Sequence, residues 1–225
     1  FARGTQGPHS DLDIVAIGPA SDAWLEIRDG LLVSVSVATP DEIEYAFLRP
    51  ERVGCFIPGW RDAVILRDRD GSAARNIRRA REWSWDELDA AACDRHVARE
   101  LCGLAEEAHK LVNLLLAGNP TGAAIQRNLL ATRLAVILAV HLRLLYDSEN
   151  DLWTLVNERM GPEWANVQAR ALGLGGEAFA ITCNAALELY RLACAAARQL
   201  FDERQLAVVE RAPAVADQLP GEDAS

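Results

Sequence analysis

Asp11 and Asp13 stand two residues apart at the mouth of an apolar run, in the string SDLDIVAI at residues 10 to 17. In a β-strand side chains alternate, so residues at i and i+2 project to one face. Two carboxylates on one face repel each other unless a cation lies between them, and a hard divalent ion such as Mg²⁺ is the usual partner. Ahead of them, Gly4, Gly7 and Ser10 make a loop whose backbone can approach phosphates closely, and Arg3 adds a fixed positive charge able to grip them. The chemistry this combination offers is metal-assisted transfer from a nucleoside triphosphate, which rests on positioning and charge neutralisation. A solvated strand entrance, with Asp11 in a turn, is the plainer reading of the same residues. No Walker A pattern and no G-x-G-x-x-G is present.

Other residues that could do chemistry are scattered. Of 23 basic side chains only Lys110 is lysine, which marks a position where a compact, flexible ammonium could matter. Glu100 and Glu107 could wall a cation pocket or simply be solvated. His9 adjoins the aspartates and reads as a turn residue. Cys93, His96 and Cys102 follow one another on a helical segment without a fourth metal ligand. The arginines of residues 67 to 81 read first as an exposed face and second as a nucleotide or RNA contact. Five cysteines, Cys55, Cys93, Cys102, Cys183 and Cys194, fit no disulfide framework or zinc spacing, and are expected as buried free thiols in a reducing cytoplasm. A formal charge of −10 argues against unspecific binding to nucleic acid or anionic membrane, and suits a cationic partner or plain solubility. The longest apolar stretches, such as residues 134 to 140, are interrupted by Arg or His and read as too short to span a bilayer.

The elements that must position these residues fall into two groups, an α+β class with an all-helical second part. Residues 12 to 17 read as a strand buried on both faces. Two β-rich runs flank Asp29-Gly30, a dipeptide that favours a two-residue hairpin turn. Thr39-Pro40-Asp41-Glu42 predicts a helix to about Ala46. Residues 63 to 66 read as another short strand, and residues 72 to 83 as a short basic helix. From Trp85 onward the expected elements are helices over 86 to 116, 122 to 146, 152 to 159, 163 to 171 and 176 to 209. The resulting domains are 1–84 and 85–211, and 212–225 read as a disordered tail.

The string RGTQGPHSDLD at residues 3 to 13 resembles the active-site motif of the nucleotidyltransferase superfamily related to DNA polymerase β, in which Gly-Ser and a short loop precede D-x-D on a strand. The resemblance implies a small mixed-sheet domain whose Gly-Ser, first strand and first helix would lie ahead of Phe1, leaving the domain incomplete at its N-terminus. It is closest to the kanamycin (aminoglycoside) nucleotidyltransferase branch, and rests on three stretches: the opening loop, the helix with Glu106 and Lys110, and residues 118 to 158. It implies that Asp11 and Asp13 are catalytic and bind Mg²⁺. It implies also that Arg3, Gly4, Ser10 and Lys110 hold ATP, and that Glu106 is the general base on an acceptor hydroxyl. Glu then Lys at i,i+4 puts both on one helix face, and the same spacing makes an ordinary surface ion pair.

One position departs from the pattern. The superfamily places a third carboxylate on the strand after the motif, where this chain has Ser34. Glu26 is expected on the opposite face of the hairpin, so Asp41 or Glu42 would have to supply the acid, or activity would be weakened. The expected function is Mg²⁺-dependent transfer of AMP from ATP to a hydroxyl of a small cationic, aminoglycoside-like acceptor. The alternatives are a weak or inactive interaction module of the toxin–antitoxin or regulatory type, or transfer to another acceptor. The resemblance also implies a homodimer.

Overall fold

The computed structural model describes Gly4, Gly7 and residues 9 to 214, without the side chains of 213 and 214. The chain divides into two compact units, Phe1–Leu88 and Asp89–Ser225.

The first unit holds a three-stranded mixed sheet, β1 (Leu12–Ile17), β2 (Asp22–Arg28) and β3 (Leu31–Ala38), in the order β1-β3-β2. β1 runs parallel to β3, and β2 antiparallel to it. Asp29 (φ 51°) and Gly30 (φ 79°) are both left-handed, the signature of the tight hairpin that Asp-Gly favours. The parallel pairing demands more, because only Gly18 to Ser21 carry the chain from the end of β1 across the end of β3 to β2. Gly18 makes that crossing possible: its N–H donates to the Ala38 carbonyl at 3.0 Å, and a Cβ there would stand 2.6 Å from Val37 Cγ1.

Helices α1 (Pro40–Phe47), α2 (Pro50–Arg61) and α3 (Ser72–Glu82) complete the unit. Thr39 and Glu42 form the reciprocal capping box that T-P-D-E promises. α2 has no counterpart among the expected elements, because Gly54, Pro58 and Gly59 disfavour a helix. Pro50 at its first position and the buried Val53, Ile57 and Trp60 establish it all the same. Arg61 binds the end of α3, donating to the carbonyls of Ala80 (2.8 Å) and Trp83 (2.9 Å). Trp83, fully buried, donates from Nε1 to the Phe47 carbonyl at 3.3 Å. The expected strand at 63 to 66 does not form. Val64, Ile65 and Leu66 lie in an exposed loop with no neighbouring strand among the described residues.

The second unit is helical: α4 (Ala90–Leu116), α5 (Pro120–His141), α6 (Glu149–Met160), α7 (Pro162–Ala171), α8 (Phe179–Ala196) and α9 (Glu203–Ala214). α4 starts at Asp89, whose side chain accepts from the Ala91 N–H, rather than at Asp86, which lies in a separate turn at Trp85–Glu87. α5 ends at His141, where Arg143 (φ 55°) turns the chain. The single helix expected over 176 to 209 is two, α8 and α9, separated by a tight turn at Arg198–Leu200, and α9 continues through Ala214 where a tail was expected from Ala212. Leu101, Leu104, Leu111, Leu130, Leu134 and Leu138 are fully buried, and Tyr190 donates its hydroxyl to the Leu101 carbonyl at 3.0 Å. α5 is long and apolar enough to cross a membrane by length and composition alone, which corrects the reading that no stretch would be. Its buried face is part of this helical core.

Gly18→Ala should lower stability by about 1–3 kcal/mol through overpacking against Val37, measured as a shift in urea midpoint. An unchanged midpoint would show that Val37 yields without cost.

Candidate functional site

The first unit's candidate chemistry lies on one face of the sheet. Asp13 pairs with Ser34 across β1 and β3, and Ser34 pairs with Leu25 across β3 and β2. Paired residues share a face, so Asp13, Ser34 and Leu25 form a row. Asp11, just before β1, and Val15 belong to that face by alternation, and Asp11, Asp13 and Val15 are exposed. The other face carries Val33 and Val35, both buried. The aspartates thus share a face, as the i,i+2 spacing requires. That face is open: with Val15 55% exposed, β1 is covered on one side and not on both as expected.

The same register places Ser34, not an acid, directly beside Asp13. Glu26 pairs with Val33, so it sits on the opposite face as expected. Asp41 and Glu42 begin α1 beyond the far end of β3. Ser34 and Ala38 are four positions apart, about 13 Å at strand rise, so neither acid stands beside Asp13. Glu42 is also engaged: its carboxylate accepts from the Ser21 hydroxyl at 2.5 Å and the Thr39 N–H at 2.8 Å. The Ser21 bond, then the Thr39 N–H, hold it below the usual carboxylate range. Leu25, the third member of the row, was missed in the sequence. It was countable there, since a turn centred on Asp29-Gly30 pairs residues 25 and 34.

The loop before β1 is a closed turn. The Gly7 N–H donates to Ser10 Oγ at 2.8 Å, and the Ser10 N–H donates to the Gly7 carbonyl at 3.2 Å. Ser10 keeps a hydroxyl proton to offer a phosphate, whereas the Gly7 amide is already taken. Gly4 is exposed and left-handed (φ 69°), and His9 is exposed in the turn. Arg3 lies outside the described residues. The donor set, two carboxylates on an open face near a hydroxyl, fits one Mg²⁺ completed by phosphate and water oxygens. No group of three or more candidate metal ligands occurs among the described residues.

In the second unit, Glu106 and Lys110 share a face of α4 and are joined, Lys110 Nζ to Glu106 Oε1, at 2.8 Å, with Glu107 3.4 Å from the same ammonium. Both are well exposed. The Lys110 hydrogen bond and charge hold Glu106 below the usual carboxylate range, and Glu106 raises Lys110 in turn. Both are charged at neutral pH. Glu100 instead pairs with Arg99 and Arg133, each at 3.3 Å, so it ties α4 to α5 rather than walling a cation pocket. Burial raises the thiols of Cys93, Cys102 and Cys183, and pushes Cys194 up to about 12. All five cysteines are free, but Cys55 is exposed and Cys102 half-buried where burial was expected.

No protein-family profile matches the chain, and no curated protein matches it. Among solved structures the chain is similar to a nucleotidyltransferase-like protein from Exiguobacterium sibiricum, with a TM-score of 0.54 and 10% sequence identity. The match covers 92% of this chain and 76% of that one. The fold is therefore nucleotidyltransferase-like, a mixed sheet followed by helices.

The Glu42 bonds are stronger to its ionised carboxylate, so the stability they add is complete above its ordinary value of 4.5 and is lost as pH falls through the lower folded value. Urea midpoints of the protein and of Glu42→Gln should converge as the pH falls through that window; parallel curves would contradict the assignment.

Proposed function

We propose that the chain transfers AMP from ATP, with Mg²⁺, to a hydroxyl of a small cationic acceptor of the aminoglycoside kind. The observation that carries this reading is the placement of Asp11 and Asp13 together on the open face of a nucleotidyltransferase-like sheet. These two residues would hold Mg²⁺, which supplies positive charge against the triphosphate. Ser10, Gly4 and Arg3 are the candidates to hold phosphate oxygens, and Lys110 adds a cation. Glu106, ionised at neutral pH, takes the proton of the acceptor hydroxyl as its oxygen bonds to the α-phosphorus, and the bond from that phosphorus to pyrophosphate breaks. A cationic acceptor suits a chain of net charge −10. A homodimer and a cytoplasmic setting belong to the same reading.

One observation favours a second reading, a catalytically weak or inactive interaction module. Ser34 stands beside Asp13 where a third carboxylate would complete the acidic set, and Leu25 follows it in the row. A hydroxyl neither neutralises a metal nor polarises a reacting group as a carboxylate does. Ser34→Asp separates the two readings: increased AMP transfer identifies a weakened enzyme, and an unchanged zero rate identifies the module.

Incubation with labelled ATP and a panel of aminoglycosides should yield labelled antibiotic, and no label beside an active control enzyme would sink the acceptor. Glu106→Gln should slow transfer by about 10²- to 10⁴-fold while nucleotide affinity stays within a few-fold. Equal loss of nucleotide affinity would reassign Glu106 from base to binding residue.

A further inference from the structure

The loop between α2 and α3 and the outer side of α3 carry a surface that the proposed chemistry leaves unused. Val64, Ile65 and Leu66 are consecutive and 63%, 43% and 78% exposed. Immediately after them come six arginines and two aspartates between residues 67 and 81, in a chain of net charge −10. Arg67, Arg69, Arg75, Arg78 and Arg81 are exposed; Arg79 is engaged with Glu44 and lies 4.1 Å from the Phe47 ring centroid.

The two aspartates are fixed at the start of α3, where Asp70 stays exposed beside Arg75 and offsets part of the charge, so the six arginines still outnumber the two aspartates and Glu82. Asp68 accepts from the N–H groups of Ala73 (3.3 Å) and Ala74 (3.0 Å), and Asp70 accepts from the Ser72 hydroxyl at 2.7 Å and its N–H at 3.1 Å. Arg75 donates to the Asp70 carbonyl at 2.9 Å, which fixes the loop further. The helix N-terminus is thereby closed to an external anion, and the basic surface begins beyond it. Asp70 at the start of α3 and Glu82 at its far end are the exposed acids on this stretch.

We infer that this loop and the outer face of α3 dock an acidic amphipathic segment of a partner protein, whose apolar side chains cover Val64, Ile65 and Leu66 while its carboxylates meet the arginines. Charge complementarity selects an acidic occupant. Arginine is enriched at protein interfaces, and guanidinium pairs with carboxylate bidentately. Single-stranded RNA would call for aromatic rings to stack its bases, but Trp60 and Trp83, the aromatic residues nearest this surface in sequence, are buried. An anionic bilayer would meet the repulsion of the remaining acidic surface.

The test uses a labelled synthetic peptide of about three helical turns, with Glu and Asp on one face and Leu on the other, and follows fluorescence anisotropy. Saturable binding is expected, weakening as salt rises, and falling about tenfold or more in Arg75→Glu/Arg78→Glu and in Leu66→Ser with circular dichroism unchanged. A peptide with Lys in place of its acids should bind the charge-reversed variant better than the original chain. Absence of peptide binding, binding indifferent to these substitutions, or preference for phosphatidylserine vesicles or oligouridylate over the peptide would each overturn the inference.

Discussion

The parallel pairing of β1 with β3 is the constraint on which the first unit depends. It sets Asp13 beside Ser34 and places both on the open face, and it exists only because four residues can cross the end of β3. A strand slipped by one position would turn the aspartates toward Val33 and Val35 and bury two charges without partners, which costs far more than any local preference could return. The tight approach of Gly18 to Val37, the Ala38 bond and the Asp-Gly turn all favour the same register. The position of two carboxylates is thus decided by residues that do no chemistry.

Much of this was legible in the sequence. The alternation in β1, the Asp29-Gly30 turn and the T-P-D-E cap each state a local rule, and each is obeyed. That Glu26 lies on the face opposite Ser34 follows by counting across the turn. What escaped reading was decided by packing. α2 forms despite Pro58 and two glycines because Val53, Ile57 and Trp60 find a core. Residues 63 to 66 have strand composition yet no strand beside them. The break between α8 and α9 has no proline or glycine to announce it, since Arg198–Leu200 are ordinary helix formers.

The candidate chemistry is uneven in the same way. Asp11 and Asp13 are exposed, and the turn before them is closed by the bonds between Gly7 and Ser10. Glu106 and Lys110 are joined to each other on α4, an exposed ion pair at i,i+4. Ser34 limits the acidic set to two, which leaves room for one cation where three acids could support more.

The central claim, that Asp11 and Asp13 hold a single cation together with a nucleotide, is tested most directly by counting Mn²⁺ bound in the presence of a non-hydrolysable ATP analogue by electron paramagnetic resonance. The account predicts one ion per chain, dependent on the nucleotide and lost in Asp13→Asn. No bound ion, or a stoichiometry and affinity unchanged by Asp13→Asn, would contradict it.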